Sequence, residues 1–208
     1  MLYYIGQFLL LVNVVLYGAR LSGKGKAYRF FWSYLLAIFC LQLVMKAYSS
    51  QSINNHFLST YYLFLQFGLL SAFFYDLFVP IKRKISRLVS YLSLAVVLGL
   101  LIQYLIHPEQ YYTFNSLGFL VTTVVLITYT VLYLYEMLSQ KLPFYVVCIG
   151  LFIYLISSSL IFVSATSLIA LNNKINTLIW DINALLFMVY QLLILWEWKQ
   201  SFFQKKTG

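Results

Sequence analysis

The chain has 208 residues, of which 62% are hydrophobic and 9% charged, and its formal net charge is +9. Soluble domains carry roughly 25% charged residues, so this composition excludes an ordinary water-soluble fold, whose surface would be largely apolar. The bilayer is the natural second solvent, and the 19 tyrosines and 18 phenylalanines suit its headgroup region.

A helix needs about 20 apolar residues to cross the hydrocarbon core. The first run, Leu2–Ala19, has no basic residue before it; the first is Arg20. Met1–Tyr17 therefore reads as a retained signal anchor rather than a cleaved peptide. Phe30–Tyr48, Phe57–Val79, Ile85–Ile106, Tyr112–Met137, Pro143–Leu171 and Asn176–Trp196 follow, joined by short polar links. The expected fold is all-α: one polytopic domain of seven transmembrane helices spanning residues 1–208. Continuous rather than alternating apolar runs argue against a β-barrel. Pro80, Pro108 and Pro143 fall at predicted helix ends, as do Trp32, Trp180, Trp196 and Trp198.

The basic residues set the expected orientation. Arg20, Lys24, Lys26 and Arg29 lie in the first link, and Lys82, Arg83, Lys84 and Arg87 in the third. With Lys141 and the tail lysines, 12 of the 14 fall on one face, leaving Lys46 and Lys174 on the other. The positive-inside rule places the N-terminus outside and the C-terminus in the cytoplasm. These clusters are also expected to touch anionic headgroups or a cytoplasmic protein, with nucleic acid involved only indirectly. The expected location is the bacterial inner membrane. No repeat relates the first three helices to the last three.

The titratable inventory is small: Asp76, Glu109, Glu136, Asp181, Glu197, His56 and His107. It contains no H-E-x-x-H, G-x-S-x-G or phosphate-binding glycine loop, and no metal or cofactor is expected. No full charge falls at the midplane of a predicted span, where ion pumps keep one; Gln66 reads as the most central polar side chain. Cys40 and Cys148 read as packing residues without a disulfide. Ser157, Ser158, Ser159, Ser164, Thr166 and Ser167 crowd the sixth helix, where Gly150, Tyr154 and Ser158 share a face suited to close helix packing.

The informative polar residues gather towards the expected outer face. Asn54, Asn55 and His56 open the third helix, Asn115 the fifth, and Lys174, Asp181 and Asn183 the seventh. Lys174 and Asp181, seven positions apart, share a helix face. A carboxylate one to two turns inside the membrane needs a partner, which Lys174, His56 or an asparagine would supply. The set reads either as a ligand pocket or as a structural hydrogen-bond network.

Three segments carry a resemblance: SINNHFLSTYYLFLQFGLLSAFFYDLF, TFNSLGFLVTTVVLITYTVLYLYEML and LIWDINALLFMVYQLLILWEW. They resemble an uncharacterised family of small bacterial seven-helix membrane proteins. Its patterns are N-N-x-x-L-x-x-Y before the third helix, F-N-S before the fifth and W-N/D-I-N-A in the seventh. The matching positions are Asn54, Asn55, Tyr61, Asn115, Trp180, Asp181, Asn183 and Ala184. The resemblance implies a fold and a polar cluster, with no activity attached. In size and membrane character the chain is also similar to accessory membrane proteins of RNA-targeting CRISPR systems.

The expected function is therefore non-enzymatic: a ligand sensor, or an accessory membrane component of a system such as antiviral defence. The alternatives are a homo-oligomeric pore or small-solute transporter, and a membrane-embedded lipid hydrolase. The hydrolase would want paired intramembrane carboxylates.

Overall fold

The computed structural model describes residues 2–51, 55–168 and 173–203, and side chains except those of 162–176 and 203. Among these residues seven α-helices follow in order: α1 Leu2–Ala19, α2 Lys26–Ser50, α3 Phe57–Phe78, α4 Arg83–Ile106, α5 Ser116–Met137, α6 Tyr145–Leu168 and α7 Asn173–Phe203. A short 3-10 turn, Pro108–Tyr111, joins α4 to α5. Among the described residues there is no strand. Six of the helices, all but α6, are long and apolar enough to cross a membrane; the described apolar part of α6 is Tyr145–Ile161. This is a multi-pass helical membrane protein. Its exposed helix faces fit that solvent: Leu94, Leu98, Ile102 and Leu105 line one side of α4.

Several boundaries differ from those the hydropathy predicts. α2 begins at Lys26 rather than Phe30, and α4 at Arg83 rather than Ile85. Basic residues that read as links are thus first-turn residues, because Lys and Arg are good helix formers outside the hydrocarbon. α5 begins at Ser116 rather than Tyr112, since the 3-10 turn occupies Pro108–Tyr111 first. α6 begins at Tyr145 rather than Pro143 and is described as far as Leu168; the expected end at Leu171 lies outside the described residues. α7 starts at Asn173 and continues past Trp196 to Phe203, 31 residues in all. At about 1.5 Å per residue it exceeds the thickness of the hydrocarbon core.

The chain divides into two compact units, one of residues 1–22 and 130–208, the other of residues 23–129. In the first, α7 packs against both α1 and α6. The buried positions of α1, Gly6, Leu10, Asn13, Val14 and Tyr17, recur at helical spacing and form one stripe. Asn13 Nδ2 donates to the Gln191 carbonyl at 2.9 Å and to its Oε1 at 3.0 Å. Tyr17 donates its hydroxyl proton to the Ile194 carbonyl at 3.2 Å, and Trp198 Nε1 donates to the Leu16 carbonyl at 3.1 Å. Partner numbers rise together, so α1 and α7 run parallel. Gly6 permits this approach: a Cβ there would lie 2.9 Å from Phe187 Cδ1. α6 runs antiparallel to α7. The Tyr154 and Tyr190 rings stack at 5.2 Å, and a Cβ on Gly150 would lie 3.0 Å from Leu193 Cδ1.

In the second unit α3 lies between α2 and α4, each antiparallel to it. Phe31 meets Phe73 near one end of the α2–α3 seam, and Tyr48 meets Phe57 near the other. Thr60 and Phe64 of α3 meet Tyr104 of α4. Along α5, the Tyr129 hydroxyl donates to the Val89 carbonyl at 3.2 Å and lies 2.9 Å from Ser93 Oγ. Of the two cysteines, Cys148 is buried as packing requires, but Cys40 lies exposed.

Candidate functional site

The second unit has two chemically distinct ends. Where α2 and α4 begin, Lys24, Lys26, Arg29, Lys82, Arg83, Lys84 and Arg87 are all exposed. Antiparallel packing about α3 brings these two first turns to the same end. Lys24 Nζ sits 5.9 Å from the centroid of the Tyr28 ring, a cation–π contact. The remaining predicted basic residue, Arg20, is exposed in the first unit with its guanidinium carbon 5.9 Å from the Phe202 centroid. Cations at a helix N-terminus face a positive dipole end and destabilise the helix, by about 0.3–1 kcal/mol each at low salt. The helix dipole therefore does not explain their clustering. They form a collar suited to anions.

The opposite end, where α3 begins, is aromatic and amide-rich. Phe57, Tyr61 and Tyr111 pack ring to ring, with the Tyr61 and Tyr111 hydroxyls 2.8 Å apart. That hydrogen bond is the main reason the Tyr111 pKa is raised above the usual tyrosine value; reduced hydration and the nearby Tyr61 and Tyr112 add to it. Beside these rings, Gln103 Nε2 donates to Gln110 Oε1 at 2.8 Å and to Asn115 Oδ1 at 3.4 Å. Asn115 Nδ2 returns a bond to Gln103 Oε1 at 3.2 Å. His107 and Glu109 form an exposed pair at 3.2 Å.

The predicted polar residues have separate duties in this unit. Asn115 precedes α5, and its Oδ1 accepts the Gly118 N–H at 2.8 Å. It caps the helix, satisfying an N–H that has no partner within the first turn. Asn55 Nδ2 donates to the Met45 carbonyl at 3.2 Å, tying the start of α3 to α2. His56 is exposed at the start of α3, and its carbonyl accepts the Ser59 N–H at 2.9 Å. Asn54 lies outside the described residues. In the first unit, Asp181 is exposed on α7 and Asn183 is half-buried with its Oδ1 enclosed. Lys174 lies in the first turn of α7, with its side chain outside those described.

No protein-family model, curated protein or solved structure matches the chain. The residues therefore carry the functional reading by themselves.

Two polar arrangements in the first unit escape the sequence pattern. Asn13 and Gln191 are wholly buried within apolar runs, and a polar residue amid apolar neighbours is the one available signal. Glu197 reads in the sequence as lying beyond the last crossing. It is buried, and its carboxylate accepts the Phe144 and Val146 N–H groups at the start of α6. Only its WEW setting hints at this.

Proposed function

We propose that this protein acts by interaction rather than catalysis, as a sensor or accessory component in a bacterial cytoplasmic membrane. In this reading it makes seven crossings, with the N-terminus outside and the C-terminus in the cytoplasm. The basic collar faces the cytoplasm and docks an acidic protein partner. The aromatic and amide-rich end faces outward, where a ligand would arrive.

The collar carries the proposal. Seven exposed cations gather at one end of one unit, four of them (Lys26, Arg29, Arg83 and Lys84) in helix first turns, where the dipole opposes positive charge. An anionic partner offsets that cost. The family resemblance in the third, fifth and seventh helices is compatible with this reading, as is the likeness to CRISPR accessory membrane proteins.

Affinity purification from native membranes in mild detergent, followed by mass spectrometry, tests it. The native chain should retain a cytoplasmic partner in fixed ratio. A variant with Lys82, Arg83, Lys84 and Arg87 each changed to Gln should lose it, while a C-terminal reporter shows the orientation kept. Equal recovery of the partner by both chains would sink the docking claim. A partner-free ring that conducts ions in liposomes would replace it with a pore.

A further inference from the structure

The start of α6 depends on a residue from another helix. The segment before it, Leu142–Pro143–Phe144, contains no Ser, Thr, Asp or Asn to cap the first turn. Glu197 of α7 does so instead. Its Oε1 accepts the Phe144 N–H at 3.2 Å and its Oε2 the Val146 N–H at 2.9 Å. Ser201 Oγ donates to the same Oε1 at 3.2 Å. A carboxylate is well placed there, because the helix dipole favours negative charge at an N-terminus. Phe144 bears a conformational cost in this arrangement: its φ is 64°, the left-handed region that bulky residues avoid. Its ring is buried, and the Tyr133 hydroxyl donates to the preceding Pro143 carbonyl at 3.1 Å.

The ties of α7 to its two neighbours differ in kind. Hydrogen bonds through Asn13, Tyr17 and Trp198 bind it to α1 between Gln191 and Trp198. At the first turn of α6 the Glu197 carboxylate meets Phe144 in its strained conformation, beside the buried Val147 and Cys148. Further along, the close approach at Gly150 holds the two helices in contact.

We infer that Glu197 is a release latch between α6 and α7. Closed, its carboxylate caps α6 and holds Phe144 left-handed. Open, residues 144–149 separate from α7 while the contact at Gly150 persists. This rests on the sensor reading above and gives it a moving part. α7 carries Asp181 and Asn183 towards its other end, so a shift of α7 driven there displaces Glu197 from the Phe144 and Val146 amides.

The test uses the full chain in nanodiscs, without ligand or partner, so that its failure is separate from failure of docking. Hydrogen exchange is followed in the peptide covering residues 143–150, in the native chain, E197Q and E197A. Gln keeps one acceptor and loses the charge; Ala removes both bonds. Exchange should quicken about tenfold in E197Q and about a hundredfold in E197A, as expected for hydrogen bonds to a charged group. Protection elsewhere should hold. Spin labels at Lys141→Cys and Lys199→Cys, in a Cys40→Ser background, should show a longer and broader distance in both variants; buried Cys148 stays unlabelled. Unchanged exchange and distance in both variants would overturn the latch. Loss of protection along the whole chain in both would also overturn it, since the carboxylate would then belong to the fold as a whole.

Discussion

Asn115 illustrates how one side chain can be committed to structure. Its Oδ1 caps α5 through Gly118 N–H, while its amide pairs with Gln103. Asn115→Ala should lower stability by about 1–2 kcal/mol, the usual worth of a helix cap, read by denaturation in mixed detergent micelles. Gly118→Ala attacks the same point, because the new Cβ would lie 2.8 Å from Asn115 Nδ2 and 2.9 Å from Leu100 Cδ2. The two losses should be less than additive when combined, as for neighbours sharing one interaction. Nearby, Tyr111 has its pKa raised, chiefly by the hydrogen bond with Tyr61. A raised folded pKa means the contact contributes fully below the ordinary tyrosine pKa of about 10. The contribution is lost as pH rises through the folded value. Tyr61→Phe should return the titration of Tyr111 towards the ordinary value, seen as a tyrosinate difference spectrum against Tyr111→Phe.

Between helices, the α1–α7 seam carries buried hydrogen bonds from Asn13 and Tyr17. Interhelical hydrogen bonds in membranes average about 0.6 kcal/mol and reach about 1.7, so Asn13→Leu should destabilise by no more than that. Asn13→Leu with Gln191→Leu should recover most of the loss, because replacing both partners leaves no buried amide unmatched. Detergent-unfolding midpoints of the three variants check this. The same scale shows what the sequence can reveal. The end of the first helix at Ala19 is legible to the residue, since Arg20 ends the apolar run. The start of α5 is not, because Tyr112 and Phe114 are as apolar as the helix that follows, while Asn115 sets the boundary by capping. The end of α7 is hidden because Glu197 and Lys199 look like exit charges. Depth along a span is written in hydropathy, but neighbours are not. Residues that share an expected depth, such as Asn55 and Asn115, therefore serve different helices.

For the molecule as a whole, the charge asymmetry implies an orientation that reporters can read. A fluorescent protein fused after Gly208 should mature and fluoresce, and an N-terminal fusion requiring export should be active. Reversing Lys82, Arg83, Lys84 and Arg87 to Glu should invert part of the population, because four of the 12 residues that bias the orientation change sign. Undiminished C-terminal fluorescence from the reversed variant would instead show that other features set the topology. The two units also differ in chain order. Residues 23–129 are contiguous, whereas the other unit draws on both ends of the chain.

That discontinuity has a consequence for biogenesis. Asn13 finds its partner 178 residues later, so the first helix enters the membrane long before the last one exists. At about 5–20 residues per second of synthesis, its amide waits on the order of ten seconds or more for Gln191. During that interval α1 is a helix with an unmatched polar group in lipid, the kind of segment that insertion factors shield and membrane proteases remove. A nascent chain stalled before α7 should therefore be short-lived, and its lifetime should lengthen when Asn13 is replaced by Leu.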